Sequence, residues 1–113
     1  MFILYGLKNC DTCRKASAWL TAHGHPHRLH DLRTDGLDAA QLKAWADHLG
    51  WENLLNRKST TWRGLADADK SGIDRDKALD LMLNHPTLIK RPVLFTGASW
   101  VLGFSADLYA ETL

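Results

Sequence analysis

Residues 2–13 read FILYGLKNCDTC and are the most informative segment of this 113-residue chain. The first four of these residues are apolar and a glycine follows them, a pattern typical of a short buried strand. Residues 11–23 then predict a helix, because an acidic residue begins the segment, good helix formers follow and a glycine comes directly after it. Cys10 and Cys13 therefore fall where a predicted strand passes into a predicted helix.

This position favours the thiolate form of Cys10. Free backbone N–H groups and the positive end of the helix dipole face a cysteine at a helix start. Lys8 and Arg14 add positive charge nearby, partly opposed by Asp11. Cys13 lies one helical turn later on the same face, where it is placed to attack a mixed disulfide at Cys10. The sequence therefore predicts Cys10 as the nucleophile and Cys13 as the resolving cysteine.

Composition and charge predict one ordinary globular domain over residues 1–113. Hydrophobic residues make up 45% of the chain, charged residues 24%, and the net charge is +1. This balance gives no indication of binding to nucleic acid or to an anionic membrane. The N-terminus has no basic leader segment, and no apolar run is long enough to span a bilayer. We therefore expect a cytoplasmic protein whose two cysteines are kept reduced and have a chemical role.

The rest of the chain alternates predicted strands and helices. They are a strand over residues 27–32, a helix capped by Asp38, a helix capped by Asp74, strands over 93–95 and 100–102, and a helix capped by Ser105. The predicted inner faces are Cys13, Ala16 and Leu20; Leu42, Trp45, Ala46 and Leu49; and Ala78, Leu81, Met82 and His85. Residues 53–69 show a less regular pattern. The order β-α-β, several helices, β-β-α predicts an α/β fold with a four-stranded mixed sheet and helices on both faces.

Two other roles for the cysteine pair stay open at this point. The cysteines could be inert packing residues, since free cysteine is often buried. They could also be half of a zinc site, although such a site needs four ligands and the chain has no second C-x-x-C. The available partners are His23, His25, His27 and His30. A solvated connection explains these histidines equally well, and we predict no metal site.

Eight short stretches spread over residues 4–104 carry a resemblance to a known family. They are LYGLKNCDT at 4–12, HD at 30–31, DGL at 35–37, LGW at 49–51, LNR at 55–57, TTWR at 60–63, LIKRPVL at 88–94 and LGF at 102–104. Together they resemble the ArsC/Spx family of thioredoxin-like proteins, most closely its small YffB-type members. Any one of these stretches alone would be weak; their combination is specific.

The resemblance implies a thioredoxin-like sheet with a helical insertion between the β-α-β unit and the hairpin. It implies that Pro92 is a cis-proline set against the active cysteine and that Arg91 binds an anion beside it. The other residues that it places at a substrate or glutathione site are Lys8, Asn9, Thr12, Arg57 and Arg63. The expected activity is reduction of an oxidised thiol or oxyanion by the Cys10 nucleophile, with glutathione or another small thiol as co-substrate and no bound cofactor.

The chain departs from the arsenate reductases of this family at two places. Those enzymes approach the cysteine through a His-Asn-Pro type of segment, where this chain has residues 7–9, LKN. They also carry an arginine just before the last helix, where this chain has residues 103–105, GFS. These departures argue against arsenate as the substrate, although a true arsenate reductase stays an alternative.

An Spx-like redox regulator is a further alternative, because Spx-type proteins share the C-x-x-C. Such a regulator would bind the C-terminal domain of the RNA polymerase α subunit and would contact neither membrane nor nucleic acid directly. The chain ends at Leu113, without the longer C-terminal extension of the Spx type, which favours the enzyme.

Overall fold

A four-stranded mixed sheet organises the N- and C-terminal parts of the chain in the computed structural model, which describes all of residues 1–113. Its strands are β1 (Phe2–Gly6), β2 (His27–Asp31), β3 (Val93–Phe95) and β4 (Trp100–Leu102). They lie in the order β2-β1-β3-β4. Strands β1 and β2 are parallel, whereas β3 is antiparallel to both β1 and β4. The predicted sheet is therefore confirmed in strand number, strand position and mixed pairing.

Seven α-helices and one 3₁₀ turn complete the structure. They are α1 (Asp11–Ala22), α2 (Ala39–Leu49), α3 (Trp51–Leu54), α4 (Thr60–Gly64), α5 (Asp67–Lys70), α6 (Arg75–Asn84), the 3₁₀ turn Pro86–Leu88, and α7 (Ala106–Thr112). One compact unit, Met1–Gly36 with Arg91–Leu113, holds the sheet, α1 and α7. The other unit, Leu37–Lys90, is helical. None of the helices combines the length and the apolar character needed to cross a membrane.

Three helices begin at the capping residues that the sequence predicts. In each case the capping side chain accepts a hydrogen bond from a backbone N–H three residues on, which satisfies one of the free donors of the first turn. The pairs are Asp38 with Gln41 (2.7 Å), Asp74 with Lys77 (2.9 Å) and Ser105 with Leu108 (3.0 Å).

The core of the sheet-containing unit lies between the sheet and its two helices. As predicted, Cys13, Ala16 and Leu20 are the buried residues of α1. Ala16 and Leu20 pack with core residues of the sheet and of α7, which are Leu4, Leu94, Val101 and Tyr109. Burial of this apolar surface anchors α1, and with it the residues that open the helix, to the sheet.

The predicted inner face of α6 is wrong at two positions, and the segment predicted to be irregular holds short helices. In α6, Leu79 is buried with Ala78 and Met82, whereas Leu81 is only half-buried. His85 is exposed and lies beyond the helix, because the residue before a proline is disfavoured in the α conformation and α6 ends at Asn84. The irregular residues 53–69 contain one complete short helix, α4, together with the end of α3 and most of α5.

Candidate active site at Cys10

Cys10 lies at the junction of the β1–α1 loop and helix α1. It is the residue before the first helical position, with extended backbone angles of φ −99° and ψ 120°. Its N–H donates to the Leu7 carbonyl (3.2 Å), and its carbonyl accepts the first intrahelical bond, from Arg14 N–H (3.0 Å). The backbone on both sides is thus held, and the half-buried Cys10 side chain lies at the helix N-terminus as predicted.

The pKa of the Cys10 thiol is lowered from its ordinary value. Partial burial alone would raise this pKa, but hydrogen bonds from the backbone and side chain of Cys13, the positive charge of Arg91 and the backbone of Thr12 together outweigh burial. Donors at a helix start and a nearby guanidinium stabilise the anion more than the neutral thiol. The geometry therefore supports Cys10 as the thiolate of the pair.

Cys13 has the opposite character. Its side chain is buried against the sheet, and burial, followed by the neighbouring Cys10, raises the pKa of Cys13 to about 12. The two thiols are separate in this structure and form no disulfide. Pairs of titratable groups whose environments push their pKa values apart usually divide the chemical roles between them. Cys13 is therefore the protonated partner, able to donate its S–H toward the Cys10 thiolate.

Gly6 leaves room for the Cys13 sulfur, which leads to a stability prediction. A methyl group at Gly6 would lie 2.5 Å from Cys13 Sγ, well inside van der Waals contact. We expect Gly6→Ala to lower the free energy of unfolding by about 1–3 kcal/mol, the usual penalty for overpacking a core. Urea denaturation measures this effect.

Gly64→Ala is the matched control, because a methyl group there meets no atom within 4 Å. Since Gly64 is helical, its replacement should leave stability unchanged or raise it by about 0.5–1 kcal/mol. Equal denaturation midpoints for Gly6→Ala and Gly64→Ala would contradict the close contact between Gly6 and Cys13.

Arg91 contributes the main cationic effect at the two thiols. Its side chain is half-buried, and its Nε and Nη1 atoms are buried without a hydrogen-bond partner in the protein. The Arg91–Pro92 peptide bond is cis, as the family resemblance implies. The Pro92 carbonyl accepts a hydrogen bond from Gly103 N–H (2.8 Å), which attaches this segment to the end of β4. Unsatisfied buried donors on a guanidinium are unusual, and their presence beside a thiolate indicates an anion-binding role.

The positive charge at Cys10 comes chiefly from Arg91, whereas Lys8 and Arg14 were the sequence-based expectation. Arg14 instead forms an exposed ion pair with Asp11 on the same helix. The Lys8 side chain is also exposed, whereas its backbone N–H donates a hydrogen bond to Asp31. Local spacing along the chain does not reveal which of several nearby cations faces the sulfur.

Asp31 is a site residue that the sequence analysis did not single out. Its carboxylate, only 4% exposed, accepts hydrogen bonds from the N–H groups of Lys8 (2.9 Å), Arg33 (2.8 Å) and Thr34 (3.0 Å). These bonds, the one from Lys8 above all, outweigh burial and lower the pKa of Asp31 to about 2. Because Lys8 lies two residues before Cys10, this carboxylate holds the loop that carries the nucleophile.

The structure brings together only part of the predicted site. Cys10, Cys13 and Arg91 interact within the sheet-containing unit, and Thr12 takes part through its backbone. Asn9 is exposed in the β1–α1 loop. Arg57 and Arg63 belong to the helical unit, where Arg57 lies 5.8 Å from the centre of the Trp62 ring. Their predicted contact with substrate stays a prediction.

The histidines make separate interactions instead of converging. No group of three or more His, Cys, Asp or Glu side chains is arranged to hold a metal ion. His25 stacks on Phe2 with ring centres 5.1 Å apart. The other three place a ring nitrogen near an oxygen, which is Trp19 O for His23 (2.8 Å), Ser17 Oγ for His27 (2.6 Å) and Gly36 O for His30 (2.8 Å).

Comparison with known proteins identifies the family. The ArsC family profile matches residues 5–112 of the chain. The chain belongs to the ArsC family. Among solved structures, that of a YffB protein has a TM-score of 0.94 and 43% identity, covering 100% of this chain and 99% of that one. This likeness confirms the predicted thioredoxin-like fold and the ArsC-family resemblance.

Two further proteins similar to this chain carry different descriptions. A solved arsenate reductase-related protein from Brucella melitensis is 41% identical with a TM-score of 0.81, covering 97% of this chain and 92% of that one. The global transcriptional regulator Spx of Lactiplantibacillus plantarum is 28% identical over 109 residues, covering 95% of this chain and 82% of the regulator. The proteins similar to this chain therefore include both a reductase-related protein and a transcriptional regulator.

Proposed function

We propose that this ArsC-family protein is a glutathione-linked thiol-disulfide oxidoreductase with Cys10 as its nucleophile. The observation that carries the proposal is the pairing of a thiolate-favouring Cys10 with Arg91, whose Nε and Nη1 atoms are buried and unbonded. A thiolate is the attacking species in disulfide exchange, and a guanidinium grips carboxylates or oxyanions. Such a reaction fits a compartment that keeps thiols reduced, namely the cytoplasm.

The proposed cycle has two exchange steps. The Cys10 thiolate attacks one sulfur of a disulfide that contains glutathione, forms a Cys10–glutathione mixed disulfide and releases the other half as a thiolate. The thiolate of a second glutathione then attacks the glutathione sulfur of that mixed disulfide, which releases oxidised glutathione and restores the Cys10 thiolate. Overall, the substrate mixed disulfide and one free glutathione become oxidised glutathione and the released thiol, and the proton lost by the attacking glutathione balances the proton that the released thiolate takes up. Cys13 would replace the second glutathione only after losing its own proton.

Arg91 is proposed to hold one of the two carboxylates of glutathione. Its side chain is half-buried and the protein leaves the buried Nε and Nη1 donors unbonded, so a carboxylate that enters this site would complete their hydrogen bonding. Arg91 also precedes β3, and the carbonyl of Pro92 is already occupied by Gly103. Backbone pairing with the extended peptide would therefore fall to Arg91 itself, as in the addition of a short strand.

The Arg91 contact predicts a loss of glutathione affinity on substitution. Removing one charge-assisted contact costs about 1.5–3 kcal/mol, so Arg91→Ala should weaken binding roughly ten- to hundredfold. Arg91→Lys should restore only part of the affinity, since an ammonium lacks the planar fork. NMR titration or calorimetry with glutathione measures both. Arg28→Ala is the matched control, because Arg28 is an exposed arginine of β2 and its removal changes the net charge equally.

Unchanged affinity in a folded Arg91→Ala protein would remove Arg91 from the site. Turnover with a panel of glutathione mixed disulfides, protein disulfides and arsenate would then identify the substrate class. Cys10→Ser should abolish every activity that depends on the proposed nucleophile. We expect the lowest turnover with arsenate, because the chain lacks an arginine in residues 103–105 before α7.

A redox-sensing regulator of the Spx type is the second candidate function. The C-x-x-C at residues 10–13 and the similarity to Spx support it. In that role the cysteine pair would sense oxidants, and the ligand would be the C-terminal domain of the RNA polymerase α subunit. Binding to that purified domain, together with no detectable glutathione binding, would favour the regulator over the oxidoreductase.

A further inference from the structure

A serine and a histidine form a second reactive arrangement, one helical turn beyond Cys13. Ser17 lies in the middle of α1, and His27 is the first residue of β2. Ser17 Oγ lies 2.6 Å from His27 Nε2. The other ring nitrogen, His27 Nδ1, lies 3.1 Å from the backbone carbonyl oxygen of His25. Both side chains are half-buried.

The hydrogen-bond partners of the two His27 ring nitrogens determine the tautomer of the ring. A carbonyl oxygen only accepts hydrogen bonds, so His27 Nδ1 must carry a hydrogen and donate it to His25. In the neutral imidazole, Nε2 then has the lone pair and accepts the hydroxyl hydrogen of Ser17. A nucleophile bonded to a base, which is itself oriented by a third group, is the arrangement that activates a serine.

The serine also faces a space large enough for a ligand. Ser17 lines a cavity of about 510 Å³ beside α1. Leu7, Ala18 and Leu29 give this cavity an apolar wall and Cys13 also lines it, while Lys8 and Thr21 add a cationic and a hydroxyl group; the Arg14 guanidinium, also on its lining, is paired with Asp11. Such positive and hydrogen-bonding groups are the kind that stabilise a developing oxyanion.

We propose that Ser17 is an activated nucleophile for acyl transfer, with His27 as its general base and carboxylic esters of small apolar acyl groups as its substrate class. Ser17 Oγ attacks the carbonyl carbon while its hydrogen passes to His27 Nε2. The tetrahedral intermediate then expels the alcohol, which takes this proton from His27 and leaves an acyl-serine. A water molecule attacks the acyl-serine in the same way, releasing the acid and restoring the serine. This activity is independent of Cys10.

A fluorophosphonate probe tests the proposal without any variant. Attack of Ser17 Oγ on phosphorus forms a P–O bond and expels fluoride, giving a stable adduct. Trypsin should release Ser17 in a peptide of residues 16–28 and the exposed Ser71 in a peptide of residues 71–75. Because general-base assistance contributes roughly 10²–10⁴-fold, we expect Ser17 to be labelled at least tenfold faster than Ser71. Equal labelling of the two serines would overturn the proposal.

The variant His27→Gln separates a catalytic role of His27 from a purely structural contact. His27→Gln keeps a side chain able to hydrogen-bond Ser17 but removes the base. We expect this variant to label Ser17 at least tenfold more slowly than the wild type, at the rate of Ser71 in the same molecule, with its fold checked by circular dichroism. If His27→Gln labels Ser17 as fast as the wild type, the pair only attaches α1 to β2 and the proposal fails.

Discussion

At pH 7, iodoacetamide is expected to alkylate Cys10 about 10²-fold faster than Cys13, or more. Burial raises the pKa of Cys13 to about 12, which leaves a thiolate fraction on the order of 10⁻⁵ at this pH. The pKa of Cys10 is lowered, so its thiolate fraction exceeds the roughly 3% of an ordinary thiol. The thiolate is the reacting species, so the ratio of these fractions favours Cys10; the greater intrinsic nucleophilicity of a high-pKa thiolate offsets part of it, while burial of the Cys13 side chain hinders attack there.

The two cysteines must be followed separately, because trypsin leaves both in the peptide of residues 9–14. Cys13→Ser isolates Cys10, and Cys10→Ser isolates Cys13, with alkylation measured against pH by mass spectrometry. The rate for Cys10 should reach half its maximum below about pH 8.5, the ordinary thiol value. A half-maximum at or above that value, or comparable rates for the two single-cysteine proteins, would refute the assignment of the nucleophile.

The different pKa values of Cys10 and Cys13 affect which thiol would complete the proposed cycle. A resolving cysteine must become a thiolate before it attacks a mixed disulfide. The raised pKa of Cys13 makes this slow at neutral pH, whereas free glutathione is an external source of thiolate. In the proposed cycle, burial of the Cys13 thiol therefore supports an external thiol such as glutathione for the second step. The reversible Cys10–Cys13 disulfide stays a prediction, and mass spectrometry after mild peroxide treatment tests it.

The sequence predicted the position of Cys10 because that position depends on local patterns. An apolar run ended by Gly6 and a helix beginning at Asp11 are each encoded within a few residues, and the structure confirms both elements. The family resemblance added the cis bond before Pro92, which composition and periodicity do not reveal. Local patterns therefore predict which residue opens the helix, and the resemblance supplies its partner far along the chain.

The sequence did not reveal which side chain supplies the positive charge at Cys10 or which one holds the loop before it. Lys8 and Arg14 are near Cys10 along the chain, but Arg14 is paired with Asp11 one turn earlier on the helix. Asp31 occurs in the family-like HD segment, yet its role depends on the β1–α1 loop passing over the end of β2. Hydrogen bonds between segments 23 residues apart, such as that from Lys8 to Asp31, arise only when the parallel strands are paired.

Asp31→Asn is expected to lower the free energy of unfolding at pH 7 by about 2–4 kcal/mol. The buried carboxylate accepts three N–H groups through its two oxygens. An asparagine has one oxygen, so its NH₂ group must face at least one of these donors. The backbone of Lys8, or that of Arg33 and Thr34, would then lose its partner inside the protein.

The pH dependence of this effect follows from the lowered pKa. In the unfolded chain an aspartate has a pKa of about 3.9, whereas in the folded protein the pKa of Asp31 is about 2. The unfolded state therefore takes up a proton first as the pH falls, and the stabilisation by the carboxylate is fully present above about pH 4. It is lost between about pH 4 and pH 2, so wild type and Asp31→Asn should approach each other in stability over that range.

Urea denaturation of both proteins from pH 7 to pH 2 measures the difference. Asp80→Asn is the matched control, because Asp80 is exposed on α6 and its replacement should change stability by less than about 0.5 kcal/mol. Because Asp31 holds the loop before Cys10 through the Lys8 N–H, Asp31→Asn should slow alkylation of Cys10 at pH 7 in a protein that is still folded, since that loop would lose its anchor and the Cys10 sulfur its fixed position. A stability difference that does not change with pH would show that the carboxylate charge is not what matters. An unchanged alkylation rate would confine Asp31 to stabilising the turn at the end of β2.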